Sequence, residues 1–118
     1  MTSTITMAWV HFNNAPPELY LASLTDGSEG ELVSQSAGAS LGDVAGQVVS
    51  QIDVQVGDGS ILDYVQITGS DGAQVINVLG NERLNAGGHS ENSNVNVCIV
   101  NIAIPVVRGM TLVAKTTD

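Results

Sequence analysis

Apolar and polar residues alternate along most of this chain, which is the period of an extended strand rather than of a helix. The alternation is clearest from Gln47 to Val56. There Val48, Ile52, Val54 and Val56 fall on one side with Ser50 between them, and Gln47, Gln51, Asp53 and Gln55 fall on the other. This is the pattern of a half-buried antiparallel strand. Ile61–Thr68 and Ala73–Leu79 read the same way, and in Glu18–Leu24 the side chains of Leu19 and Leu21 face one way. Near the start, Ile5, Met7 and Trp9 alternate with Thr4, Thr6 and Ala8, and Val10 and Phe12 follow on the second parity. Residues 4–12 are therefore an extended segment that docks as a strand. At the other end, Val95, Val97 and Ile99 alternate with Cys98, Val100, Ile102 and Ile104. Both faces of that run are apolar, so it is expected in the middle of a sheet, covered on both sides. A Pro-Val-Val-Arg-Gly connection then leads to a final strand through Met110, Leu112 and Ala114.

Between these runs lie turn residues: Asn13-Asn14-Ala15-Pro16-Pro17, Thr25–Gly30, Gly57–Ser60, Gly69–Gly72 and a long polar stretch from Gly80 to Asn92. Ser36 to Gly46 is rich in small residues and reads as a mobile insertion or contact loop in preference to the one helical turn that Leu41–Ala45 could make. The expected fold is all-β, an antiparallel β-sandwich or jelly roll of about 7–8 strands with an extended N-terminal arm. In domain terms, residues 1–12 are the arm or first strand and 13–118 a single sandwich domain.

Charge narrows the partners. The chain carries 12 acidic residues against three cations (Arg83, Arg108 and Lys115), a net charge of −9. A phosphate backbone is bound by Lys and Arg, and none occurs before position 83, so nucleic acid and anionic membrane surfaces are not expected partners. Aromatics amount to only 3%, too few to build a pocket for stacking flat ligands. Met1–Thr6 has neither the charged start nor the apolar segment of a secretory leader, and no run reaches transmembrane length, so synthesis in a cytoplasm is expected.

Candidate chemistry is sparse. Cys98 is the only cysteine, mid-strand between Val97 and Ile99, and is expected as a small buried hydrophobe. His11 shares strand parity with Ala15 rather than with an acid, and His89 sits beside Ser90 in a glycine-rich loop, which is not a nucleophile–base geometry. Asp26, Glu29, Glu31, Asp58 and Asp63 gather at Asp-Gly turns, but the calcium-loop pattern is missing and such turns are ordinary hairpin chemistry. No enzyme, metal or cofactor is expected. Trp9, the only Trp, and Phe12, the only Phe, are anchors either in the chain's own core or in a neighbouring subunit. With Ile5 and Met7 they form the candidate partner-binding segment. Arg83 and Arg108 are candidate interface residues against acids of another copy, Arg108 the better placed beside Gly109.

The stretch Tyr64-Val65-Gln66-Ile67-Thr68-Gly69-Ser70-Asp71-Gly72-Ala73-Gln74-Val75-Ile76 and the ending Ile102-Ala103-Ile104-Pro105-Val106-Val107-Arg108-Gly109-Met110-Thr111-Leu112-Val113-Ala114 together have the cadence of a known group. They resemble the small jelly-roll virion structural proteins of tailed bacteriophages. The chain departs from that pattern in the Val-Val-Arg between Pro105 and Gly109, and in Lys115 where Arg often stands. The resemblance implies a capsid decoration (cement) protein on the outer surface of a virion, most simply a homotrimer whose partner is the major capsid protein, or else a tail or fibre component. On that expectation, loss of residues 1–12 abolishes shell binding and leaves the β fold intact. The rival expectation is a small glycan-binding domain using loop 81–94, with Trp9 or Tyr64 as the stacking platform.

Overall fold

The computed structural model describes residues 3–25, 27–56, 61–79, 96–99 and 102–117. Its strands are β1 (Ser3–Phe12), β2 (Glu18–Thr25), β3 (Glu29–Ser34), β4 (Val48–Val56), β5 (Ile61–Thr68), β6 (Gln74–Leu79), β7 (Asn96–Ile99), β8 (Ile104–Pro105) and β9 (Thr111–Thr117). Every pairing is antiparallel, in the order β6-β5-β9-β3-β2-β1-β4-β7, with β8 also on β4. Within it, β4-β1-β2-β3 is a Greek key: three consecutive strands, and a fourth returning beside the first.

The sheet curls over because β3 serves both halves. Its end pairs with β2 (Tyr20 opposite Ser34, Leu21 opposite Val33), while its start pairs with β9 (Glu29 opposite Lys115 through Leu32 opposite Leu112). Folding over at β3 brings two apolar faces together. Ala8, Val10, Ile52 and Val54 from one half share a single core with Leu32, Val65, Ile67, Leu112 and Ala114 from the other. The all-β sandwich expected from the alternation is present as one curled sheet; the strand order does not itself establish jelly-roll wiring.

Four details differ from the sequence reading. A strand covered on both faces is β9, where Leu112, Val113 and Ala114 are buried in succession, whereas most side chains of the run ending at Ile104 lie outside the described residues. Among the described residues β7 lies at the end of the strand path, and Pro105, which has no N–H to give, ends the short β8 beside it. An apolar run with two covered faces reads alike at either place in a sheet, so periodicity could not separate them. Second, Ser3–Phe12 is no free arm. It is hydrogen-bonded to β2 along one edge and to β4 along the other, so its removal would strip both neighbours and take Ala8 and Val10 from the core. That pairing argues against the expectation that the fold survives loss of residues 1–12.

Third, the inward parity of β4 changes partway. Ile52, Val54 and Val56 point inward as expected, but at the start it is Val49, not Val48, that is fully buried. The cause is a bulge: His11 pairs with Gln51 and Phe12 with Val49, skipping Ser50. Fourth, the small-residue stretch contains an anchored 3-10 turn, Leu41–Val44, with Leu41 and Gly42 buried. Gly42 N–H donates to Met110 O at 2.9 Å, and a Cβ on Gly42 would come 2.6 Å from the backbone nitrogens of Gly109 and Met110. Only glycine permits that approach. Among the described residues no helix is long and apolar enough to cross a membrane.

Candidate functional site

A strand sends alternate side chains to opposite faces, and β1 uses the two faces unequally. Thr6, Ala8 and Val10 point into the sandwich at 0% exposure. The larger residues on the opposite parity face out: Ile5 is 53% and Trp9 48% exposed, with Met7 half-buried between them. Register places further apolar residues on that outer face. Leu19 lies opposite Trp9, Leu21 opposite Met7, and Val33 opposite Leu21. Directly opposed residues of an antiparallel pair share a face, so these six form one apolar stripe across β3, β2 and β1. Val75 and Val107, the other large apolar residues exposed among the described positions, lie apart on β6 and in the β8–β9 turn.

The stripe ends at a polar corner on β4. Asp53 sits opposite Trp9 and Gln51 opposite His11. One Asp53 oxygen meets His11 Nε2 at 2.9 Å, and the other accepts from Gln51 Nε2 at 2.9 Å. The sequence placed no acid beside His11 because it was read along its own strand. The carboxylate arrives from the neighbouring strand, and the signal available for it was the outward parity of Gln51 and Asp53.

The sequence-derived candidates therefore separate. Ile5, Met7 and Trp9 come together on the outer face, whereas Phe12 packs against the core. Arg108 is exposed in the β8–β9 turn and not on the strand face. Arg83, His89, Asp26, Asp58 and loop 81–94 lie outside the described residues, as does the side chain of Cys98. Of the remaining turn acids, Glu29 accepts from the Tyr64 hydroxyl, Glu31 from Ser40 Oγ at 2.6 Å, and Asp63 lies 3.8 Å from Lys115 Nζ. Among the described residues no three His, Cys, Asp or Glu side chains gather as a metal site would need. The Tyr64 phenol is tied to Glu29. That hydrogen bond, with lesser effects of burial and of the Glu29 and Asp63 charges, pushes its pKa up to about 12.

Set against protein-family models, curated proteins and solved structures, the chain matches none. The site's own geometry therefore carries the functional reading. Covering the exposed half of Trp9 would remove roughly 100 Å² of ring from water, which at about 25 cal/mol/Å² is worth about 2–3 kcal/mol. That is the size of an interface anchor, and here it sits beside a carboxylate that is hydrogen-bonded to one amide and one imidazole.

Proposed function

We propose that this protein is a non-enzymatic structural module that docks a neighbouring protein subunit on the outer face of β1, with Trp9 as anchor. One observation carries the reading: the strand exposes Ile5 and Trp9 while it commits Thr6, Ala8 and Val10 to the core. Burying Ile and Trp in place of Thr and Ala would remove more apolar area from water, so the arrangement serves contact rather than folding. An apolar centre bordered by hydrogen-bonded polar groups is the composition of a protein interface. In the setting that the sequence resemblance implies, the module decorates the outside of a phage capsid. The major capsid protein and further copies of the chain, as a homotrimer, are then its partners. Strong net negative charge is compatible with a surface turned away from packaged nucleic acid.

The test is a variant with Ile5→Ser and Trp9→Ser, compared with wild type by solution mass and by co-sedimentation with capsid shells. The expected result is a folded protein that stays in the supernatant. Co-sedimentation equal to wild type would remove the role given to this face.

A second reading has its own support. Trp9 is bordered by Asp53, Gln51 and His11, and an aromatic ring edged by hydrogen-bonding groups also suits a sugar. Titrating neutral oligosaccharides while following the fluorescence of the only Trp separates the two. A saturable change would favour a glycan, and an unresponsive Trp9 with shell binding intact would favour the protein partner.

A further inference from the structure

The turn between β8 and β9 carries the scarcest chemistry of the chain, a cation. Of the three cationic residues, Lys115 lies 3.8 Å from Asp63, and Arg83 is outside the described residues. Arg108 is exposed on the turn and has no carboxylate within ion-pair distance among the described residues. Beside it stands Val107, at 56% the most exposed of the large apolar side chains described.

The backbone under these two side chains is fixed. Met110 N–H closes the turn on Val107 O at 3.2 Å, and Gly109, at φ +92°, supplies the positive φ that a type II turn needs at its third residue. Gly109 also lies so close to the β5–β6 turn that a Cβ there would come 2.6 Å from Ser70 Cβ. On the other flanks Val106 N–H donates to Gln47 O at 2.8 Å, Gly42 N–H donates to Met110 O, and Val107 N–H meets Met110 Sδ at 3.4 Å. Val106 and Met110, either side of the corner, are buried. Turn chemistry accounts for Gly109 and not for its neighbours. Corners of this kind favour Pro, Asn, Asp or Ser, and ask for neither a β-branched Val nor an Arg. Side chains carried on a fixed backbone lose less freedom when they are bound.

We propose that Val107 and Arg108 form the contact through which one copy of this chain engages carboxylates of a second copy. The inference rests on the reading in which further copies are partners, and it gives that contact a surface of its own, apart from Trp9. Charge complementarity selects the occupant. A second copy brings 12 acidic residues, and among the described residues the one cation without an acid partner stands on this turn. Two chains of net charge −9 repel, and their approach is least opposed with the cationic turn leading. The Arg108 guanidinium can fork onto a carboxylate, and Val107 beside it keeps water from the pair's flank, as around an interface hot spot. A contact of this turn with the same turn would set Arg108 against Arg108. The two surfaces in contact therefore differ, and such a contact repeats from copy to copy until a ring closes. A homotrimer is one such ring.

The experiment is sedimentation velocity of the whole protein over a concentration series at low and high salt. Wild type is expected to associate, more weakly as salt rises. Arg108→Glu is expected to weaken association at least ~10-fold, and Val107→Ser by less, with the circular dichroism of both unchanged. Ile5→Ser/Trp9→Ser is expected to associate as wild type does, because it alters only the outer face of β1. In parallel, Arg108→Lys is treated with a carbodiimide, which joins an amine to a carboxylate, in a mixture of isotope-labelled and unlabelled chains. Linkage from position 108 to an Asp or Glu of another copy is expected. A wild type that stays monomeric, unchanged association in Arg108→Glu, or linkage from position 108 only within one chain would overturn the assignment. Should Arg108→Glu misfold, the salt dependence of wild type and the carbodiimide linkage still decide. Capsid-shell binding reads the Trp9 face separately, so either proposal can fail while the other stands.

Discussion

The two faces of β1 are built from different stock. Inside stand Thr6, Ala8 and Val10, all fully buried; outside stand Ile5, Met7 and Trp9, two of them about half exposed. By apolar area, the outer set would gain more from burial than the inner set does. The inner face tolerates small residues because the half of the sheet folded over it brings Leu32, Ile67 and Leu112 into the same core. The outer face has no second layer of its own chain among the described residues, so Ile5 and Trp9 stay about half exposed. Hydrophobicity thus says that a side chain prefers to be covered. Which molecule covers it is decided by where the sheet turns over.

The largest effect should come from removing the strand that owns both faces. Deleting residues 1–12 is expected to abolish the cooperative unfolding transition altogether, since β2 and β4 each lose their shared partner. A truncated protein that kept a normal thermal transition would show β1 to be dispensable. Next in size is a substitution confined to the inner side. Ile52, opposite Val10 and 1% exposed, should lose about 2–5 kcal/mol on change to Ala. Trp9→Ser on the outer face should stay within about 1 kcal/mol of wild type despite the larger side chain. Denaturant midpoints for the two variants test the contrast; equal losses would erase the difference between the faces.

A smaller change of opposite sign probes the inner face from within. The hydroxyls of Thr6 and Thr116 are buried without a hydrogen-bond partner among the described residues. A polar group held in hydrocarbon without a partner is destabilising, and Val has nearly the shape of Thr. Thr6→Val should therefore raise stability by about 1 kcal/mol. A loss on that substitution would mean that the hydroxyl is satisfied after all.

Much of this was legible in the chain and some was not. Strand periods from Gln47 to Leu79, the paired orientation of Leu19 and Leu21, and the all-β class followed from alternation, because period two is imposed by the backbone itself. What alternation leaves open is which parity faces in. For residues 4–12 the two parities are both apolar enough, and only the Greek-key partners β2 and β4 decide between them. The bulge that moves Val49 inward is a local slip with no compositional mark. The His11–Asp53 contact is a register fact between residues far apart in sequence, visible only once β1 and β4 are side by side.

The smallest expected effect compares an inner phenol with an outer one. Tyr20, opposite Ala8 and 1% exposed, is raised above the ordinary tyrosine pKa chiefly by burial, with the charges of Glu18 and Asp43 adding to it. Tyr64, on the other half of the sheet, is raised to about 12 chiefly by its hydrogen bond to Glu29. In both cases the unfolded chain loses its phenolic proton first, near pH 10. The stability contributed is complete below that value and drains away as pH climbs through the folded-state pKa, because base then favours the unfolded chain. Ultraviolet titration of tyrosinate should show both groups ionising late. Glu29→Gln should return Tyr64 toward the ordinary value while leaving Tyr20 where it was, because one shift is built on a single bond and the other mainly on exclusion of water. Should Glu29→Gln move the two tyrosines together, the inner and outer environments would not be independent, and the contrast drawn from β1 would not extend to the second half of the sandwich.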